Sequence, residues 1–166
     1  GASSGIGMEI AKTFARNKWE VLVVARRKTA LDKLANEFEN ITPYTCDLSD
    51  SSSIANLAES LQGYSVDALV NNAGIYIPQS SYPDEDSLWD QYYQTNLMSA
   101  VRLTRHLWPQ LISSSGCVLN ISSTLGIRPI ANTAAYSALK AAMNSWTLSL
   151  AQEGASHGVR ANAICP

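Results

Sequence analysis

Charged residues are scarce in this sequence, because Asp, Glu, Lys and Arg make up only 16% of its 166 residues and the net charge is -2. The longest basic run is Arg26-Arg27-Lys28, so nothing indicates a nucleic-acid-binding surface. No apolar run approaches the roughly 18 residues that span a bilayer, so no membrane segment is visible. The 46% of hydrophobic residues indicate instead one globular domain, residues 1–166, with strands covered by helices on both faces.

Metal ligands and disulfide partners are also few. The three cysteines, Cys46, Cys117 and Cys165, lie far apart without a Cys-x-x-Cys pair, and the two histidines are not clustered. The sequence therefore predicts no metal site and no disulfide framework. We interpret the cysteines as small buried residues in a reducing compartment.

Helical and strand patterns alternate along the whole chain, with no internal repeat and no linker. The predicted strands cover about 20–25, 42–46, 66–71, 117–121 and 160–164, and the predicted helices about 5–17, 29–39, 51–62, 86–112 and 133–157. Pro109 is expected to kink or break the fourth helix. The alternation predicts an α/β fold with a doubly wound parallel sheet.

Tyr136 and Lys140 are the first candidate catalytic pair. They are four residues apart in a predicted helix, so both side chains leave one face and the ammonium can approach the phenol and favour its ionised form. Helical pairs at this spacing are commonly mere surface neighbours. The context favours a functional pair, because Ser123 closes an apolar strand upstream and a glycine-rich turn opens the chain.

Several short motifs together resemble the short-chain dehydrogenase/reductase family, and are similar to its 3-oxoacyl-(acyl carrier protein) reductase and carbonyl reductase branches. The matching stretches are Gly1-Ala2-Ser3-Ser4-Gly5-Ile6-Gly7, Cys46-Asp47-Leu48, Asn71-Asn72-Ala73-Gly74, Asn96, Asn120-Ile121-Ser122-Ser123, Tyr136-Ser137-Ala138-Leu139-Lys140 and residues 159–166. The resemblance implies a Rossmann-type fold and an NAD(P)-dependent enzyme that interconverts a ketone or aldehyde and an alcohol.

The resemblance also implies four catalytic residues. Tyr136 would transfer the proton, Lys140 would assist it and hold the ribose, and Ser123 would orient the carbonyl. The backbone of Asn96 would help to hold a water near Lys140, although a helical asparagine can also be incidental. No histidine is placed to serve Ser123 as a base, which argues against a hydrolase triad.

Cofactor contacts are implied at the glycine-rich turn and at the strand ends. They are Gly1, Ser3, Ser4, Gly5, Ile6, Gly7, Arg26, Arg27, Asp47, Leu48, Asn72, Ala73, Gly74, Ile121, Tyr136, Lys140 and Pro166. The strand predicted at 20–25 is followed by Arg26 and Arg27, without an acidic residue. This favours NADP(H) over NAD(H), because arginine can bind a 2′-phosphate. Alternatively, the arginines belong to the solvated start of the next helix, and Asp47 only caps the helix that follows it.

Three further expectations concern the whole protein. The chain lacks an initiator methionine, begins inside a turn that should follow a strand and stops at Pro166, so we expect a fragment that lacks the first, central strand of its sheet. A cytoplasmic location is expected, with an upstream targeting signal left open. The resemblance implies a homodimer or homotetramer acting on a small carbonyl or alcohol substrate; an NAD-dependent alcohol or sugar dehydrogenase and a non-catalytic dinucleotide-binding sensor are the alternatives.

Overall fold

A computed structural model describes residues 1–77 and 86–166 of the chain. Five parallel strands form two blocks, in which β1 pairs with β2 and β4 pairs with both β3 and β5. The strands are β1 (Val21–Ala25), β2 (Ile41–Thr45), β3 (Ala68–Asn71), β4 (Cys117–Ile121) and β5 (Arg160–Ile164). In register, Val21 lies opposite Ile41, and Cys117 lies opposite both Ala68 and Arg160.

Helices connect the strands. They are α1 (Gly5–Arg16), α2 (Lys28–Glu37), α3 (Ser51–Ser60), α4 (Asp86–Tyr92), α5 (Ser99–Ser113) and α6 (Ala134–Ala155). A π-helical turn, Tyr93–Met98, joins α4 to α5, and a 3-10 turn, Thr124–Gly126, precedes α6. No helix in the described ranges is long and apolar enough to cross a bilayer.

The two strand blocks face each other across an apolar slot. A cavity of about 200 Å³ separates them and is lined by residues 21–24 of β1, by residues 65–73 around β3 and by Phe14 of α1. The spatial order is therefore β2-β1, the slot, then β3-β4-β5. Parallel strands connected by helices confirm the predicted α/β fold with a doubly wound parallel sheet.

Of the two outcomes predicted for Pro109, a kink or a break in the fourth helix, the break is wrong. The helix α5 continues through Pro109 to Ser113. Proline removes one backbone donor, but the packed faces of an amphipathic helix hold the remaining turns together. Leu107 and Leu111, on either side of the proline, are 3% and 0% exposed and anchor this segment in the core. The departure from α-helical geometry lies upstream, at the π-helical turn.

A buried polar network ties the sheet to the helices α5 and α6. Asn71 donates to Thr104 Oγ1 (3.0 Å) and to Asn120 Oδ1 (2.8 Å), and Asn120 donates to Thr147 Oγ1 (2.8 Å). All four side chains are buried. Because unsatisfied polar groups are costly in a core, the network fixes one relative position for β3, β4 and both helices. Asn71 precedes Asn72 in the chain, and Asn120 lies two residues before Ser122, so the network adjoins the start of the candidate site.

Candidate active site

The glycine-rich turn forms one end of the candidate site. The helix α1 begins at Gly5, whose φ of +58° suits a residue without a side chain. Ser4 stands at the N-cap position, but its side chain makes no capping hydrogen bond. The N–H groups of the first helical turn are therefore available to an anion, as expected for a dinucleotide pyrophosphate. Asn72 holds the turn by donating to the Gly1 carbonyl at 3.1 Å.

Arg27 closes over this turn from the end of β1. Its Nη2 atom donates to Ser4 Oγ at 2.8 Å and to Ser3 Oγ at 3.0 Å, and its Nε atom donates to Ser3 Oγ at 3.2 Å. The guanidinium therefore lies at the glycine-rich turn, whereas the alternative interpretation placed it only on the solvated start of the next helix. Arg26 is exposed and lines a cleft beside this turn.

A cleft of about 300 Å³ runs from the turn along the carboxyl ends of the strands. Parallel strands end at the same edge of a sheet, where open α/β folds bind ligands. Predicted cofactor residues line most of the cleft: Gly1, Ser3, Ser4, Arg26, Arg27, Asp47, Leu48, Asn72, Ala73 and Gly74. Gly5, Ile6 and Gly7 stand beside it, as the start of α1. Four predicted residues do not line this cleft: Ile121 at the end of β4, Tyr136 and Lys140 on α6, and Pro166 after β5.

Asp47 lies in the cleft and does not cap the following helix, so that alternative is wrong. The cap of α3 is Asp50, which accepts hydrogen bonds from the N–H groups of Ser52 and Ser53. Asp47 accepts from the hydroxyl and the N–H of Ser49 at 2.7 and 3.0 Å. These hydrogen bonds hold the pKa of Asp47 below its ordinary value, and the bond from the Ser49 hydroxyl has the larger effect. The Arg26 cation acts in the same direction.

Lys140 is a buried cation at the far end of the site. Its side chain projects from α6 and its ammonium donates to the Ile121 carbonyl at 2.7 Å, while the residue is 4% exposed. Burial lowers the pKa of Lys140 from 10.5 to about 8. The Nζ atom lies 5.8 Å from the ring centroid of Tyr136. The structure thus brings the predicted pair together on one face of α6.

Ser123 and Pro166 lie near the carboxyl ends of β4 and β5. Ser123 is 8% exposed, and its Oγ accepts a hydrogen bond from Leu125 N–H at 3.2 Å. Its hydroxyl hydrogen thus remains available for a further acceptor. The neighbouring Ser122 donates to the Lys140 carbonyl at 3.1 Å and joins β4 to α6. The carbonyl of Pro166 accepts from Thr124 N–H at 3.0 Å.

Asn96 is completely buried in the π-helical turn between α4 and α5. Its amide pairs with both backbone groups of Ile75: Oδ1 accepts from the N–H at 2.7 Å and Nδ2 donates to the carbonyl at 2.9 Å. A Cβ placed on Gly74 would lie 3.4 Å from Asn96 Oδ1 and 3.8 Å from Lys140 Nζ. Asn96 and Lys140 therefore both lie next to the backbone at Gly74. Both polar atoms of the Asn96 amide are used in hydrogen bonds to Ile75.

Tyr136 lies half-buried between two other tyrosines. The ring of Tyr76 meets it nearly edge to face, with centroids 5.0 Å apart and planes at 71°, and the ring of Tyr92 lies 6.0 Å away at 65°. Tyr92 is a packing residue, since it is 1% exposed. Tyr76 was not among the predicted site residues, and its only signal in the sequence is its place two residues after the Asn-Asn-Ala-Gly motif.

Comparisons with known proteins agree with this geometry. The family model for the short chain dehydrogenase matches residues 1–166. YvrD, an uncharacterized oxidoreductase of Bacillus subtilis, is 32% identical over 171 residues, which cover all of this chain and 65% of that protein. A short-chain dehydrogenase from Streptomyces avermitilis superposes with a TM-score of 0.95 at 33% identity, over all of this chain and 63% of that one. An actinorhodin polyketide ketoreductase solved with NADPH gives 0.93 at 32% identity, over 100% and 67%.

Proposed function

Since the chain belongs to the short-chain dehydrogenase/reductase family, we propose that the full-length protein is an NADP(H)-dependent oxidoreductase that interconverts a ketone or aldehyde and an alcohol. The chain spans about two thirds of the length of the proteins described above, so the activity is proposed for the whole protein. The observation that carries the proposal is the buried Lys140 ammonium, fixed on Ile121 beside Tyr136 at the end of a cleft lined by the phosphate-binding turn.

The donor set of the cleft fits a dinucleotide. The uncapped N–H groups at the start of α1 suit the pyrophosphate, and the Asp47 to Gly74 side of the cleft suits the adenosine and ribose. When bound, the nicotinamide supplies or accepts the hydride. The protein must therefore provide the orientation of the carbonyl and the proton.

The proton and the orientation come from residues near β4 and on α6. The hydroxyls of Ser123 and Tyr136 would donate to the carbonyl oxygen, on which negative charge develops in the transition state. Tyr136 would then pass its proton to that oxygen, and the Lys140 ammonium would stabilise the phenolate that remains. The backbone of Asn96 would help to hold a water near Lys140, and its side chain fixes Ile75, which follows Gly74, the residue that borders the Lys140 ammonium.

Preference for NADP(H) over NAD(H) is supported by the arginines after β1. Arg26 lines the cleft, and Arg27 lies against Ser3 and Ser4. Residues 23–27 contain no carboxylate that would repel a 2′-phosphate or bind the 2′-hydroxyl of NAD. Two guanidinium groups at this point would bind a 2′-phosphate through charge-assisted hydrogen bonds.

A homodimer or homotetramer is the proposed assembly. The exposed face of α6 presents the small residues Ala138, Ala141 and Ser145, followed by Leu148, which is 69% exposed. A smooth face with a projecting leucine suits packing against a second helix.

The proposal is tested by Tyr136→Phe in the full-length protein. The substitution keeps the ring and its contacts with Tyr76 and Tyr92 but removes the transferable proton. We expect kcat for carbonyl reduction to fall by about 10²–10⁴-fold, with little change in the Kd for NADPH. The matched control is Tyr93→Phe, an exposed tyrosine of the π-helical turn, which should retain full activity. If Tyr136→Phe keeps more than about a tenth of the wild-type kcat, another group supplies the proton.

A further inference from the structure

Tyr76 is a half-exposed aromatic residue in direct contact with Tyr136. Its side chain is 50% exposed, although its ring packs against the Tyr136 ring with a centroid distance of 5.0 Å. One part of the Tyr76 ring therefore supports Tyr136, and another part is exposed beside it. A ligand bound at Tyr136 that covered this part would gain free energy from the apolar area it buries.

The backbone on both sides of Tyr76 is firmly held. Asn96 pairs with the N–H and the carbonyl of Ile75, and the hydroxyl of Tyr92 accepts from Ile77 N–H at 2.8 Å and donates to the Ile77 carbonyl at 3.0 Å. Both clamping residues are buried, at 0% and 1% exposure. The position of Tyr76 is thus fixed in advance of substrate binding, which is what a recognition surface requires.

A second apolar surface lies in the segment that joins Ser123 to Tyr136. Ile127 and Ile130 in this segment are each 64% exposed. The segment packs closely on α6, since a Cβ on Gly126 would lie 2.8 Å from the carbonyl carbon of Lys140. Exposed apolar side chains are therefore present both in the segment that contains Tyr76 and in the segment that joins Ser123 to Tyr136.

We propose that Tyr76 is a specificity-determining residue that favours carbonyl substrates with an aromatic or similarly bulky apolar group next to the carbonyl; this inference rests on the proposed function. A carbonyl oxygen bonded to Ser123 and Tyr136 leaves its substituents beside the Tyr136 ring. There a ring on the substrate can pack against Tyr76, and edge-to-face or offset contacts between rings are favourable beyond the area they bury. A methyl or ethyl group is too short to gain this contact.

The test compares kcat/KM for acetophenone and for 2-butanone, with NADPH, in the full-length wild type, Tyr76→Ala and Tyr76→Phe. In Tyr76→Ala we expect the ratio of the two values, aryl over alkyl, to fall by about tenfold, mainly through KM for acetophenone. Tyr76→Phe keeps the ring and should keep the ratio within about twofold. Tyr64→Ala is the control, because it removes a tyrosine of similar exposure (40%) that precedes β3, whereas Tyr76 follows the other end of that strand.

Each other outcome overturns the inference. An unchanged ratio in Tyr76→Ala would show that the ring does not recognise the substituent. An equal loss for both ketones would show that Tyr76 only supports Tyr136. If the wild type reduces ketones and Tyr136→Phe does not, but the aryl-over-alkyl ratio is the same in wild type and Tyr76→Ala, the inference alone fails. If the wild type reduces neither ketone nor any member of a broad carbonyl panel, the proposed function fails with it.

Discussion

Replacing Lys140 by methionine should change how stability depends on pH. The ammonium is 4% exposed and burial lowers its pKa from 10.5 to about 8, which corresponds to about 3 kcal/mol of free energy lost in burying the charge. Methionine has a similar length and no charge to bury. At pH 7 the variant therefore escapes this cost, although it also loses the hydrogen bond to the Ile121 carbonyl.

The sign of the pH effect follows from proton binding. Below pH 8 the lysine is charged in the folded and the unfolded chain, and the folded protein bears the whole cost. Between pH 8 and 10.5 the folded protein releases this proton while the unfolded chain retains it, so the free energy of unfolding rises with pH. Relative to Lys140→Met, the wild type should gain about 2 kcal/mol between pH 7 and pH 9.5.

Urea denaturation of the full-length wild type and Lys140→Met at pH 7, 8, 9 and 9.5 measures this difference. The control is Lys33→Met, the same replacement at an exposed position of α2, and its difference from the wild type should be nearly independent of pH. A difference between wild type and Lys140→Met that stays flat, or that falls as the pH rises, would refute the assignment of Lys140 as a buried cation with a lowered pKa.

Two further substitutions test other parts of the site. Arg26→Asp should lower the preference for NADPH over NADH, measured as the ratio of kcat/KM values, by roughly two orders of magnitude, because it removes a partner of the 2′-phosphate and adds repulsion; a wild type that already prefers NADH would contradict the cofactor proposal. Asn120→Ala removes the buried hydrogen bonds of Asn120 with Asn71 and Thr147, which then keep only Thr104 and the Met143 carbonyl, so the free energy of unfolding in urea should fall by about 3 kcal/mol; a loss below about 1 kcal/mol would mean that water replaces the amide.

The strands could be predicted from the sequence more precisely than the long helix. The predicted limits of β4 and β5, 117–121 and 160–164, are those of the structure, because β4 is a mostly apolar run that begins after Gly116, and β5 begins after Gly158 and ends just before Pro166. The segment 86–112 was predicted as one helix interrupted at Pro109. Hydrophobic periodicity does not distinguish a π-helical turn from α-helix over six residues, so the turn at Tyr93–Met98 could not be found this way.

The residues that stand in motifs could likewise be placed from the sequence, whereas those placed by long-range packing could not. Arg27, Asp47 and Lys140 stand in recognisable patterns, and the structure places each of them at the cleft or next to Tyr136. Tyr76 follows a motif without belonging to it. Its role depends on two long-range contacts, Asn96 with Ile75 and Tyr92 with Ile77, and a single sequence does not encode such pairings in any local pattern.

The π-helical turn connects these findings in physical terms. A π-helical turn contains one residue more than an α-helical turn of the same height, so it changes the direction in which the following side chains point. In this chain the turn contains Asn96 and follows directly on Tyr92, and these two residues hold Ile75 and Ile77 from the same side. A regular α-helix through residues 93–98 would rotate Asn96 relative to Tyr92 and separate the two clamps. The irregular turn thus helps to fix the segment from Gly74 to Ile77, which carries Tyr76 against Tyr136.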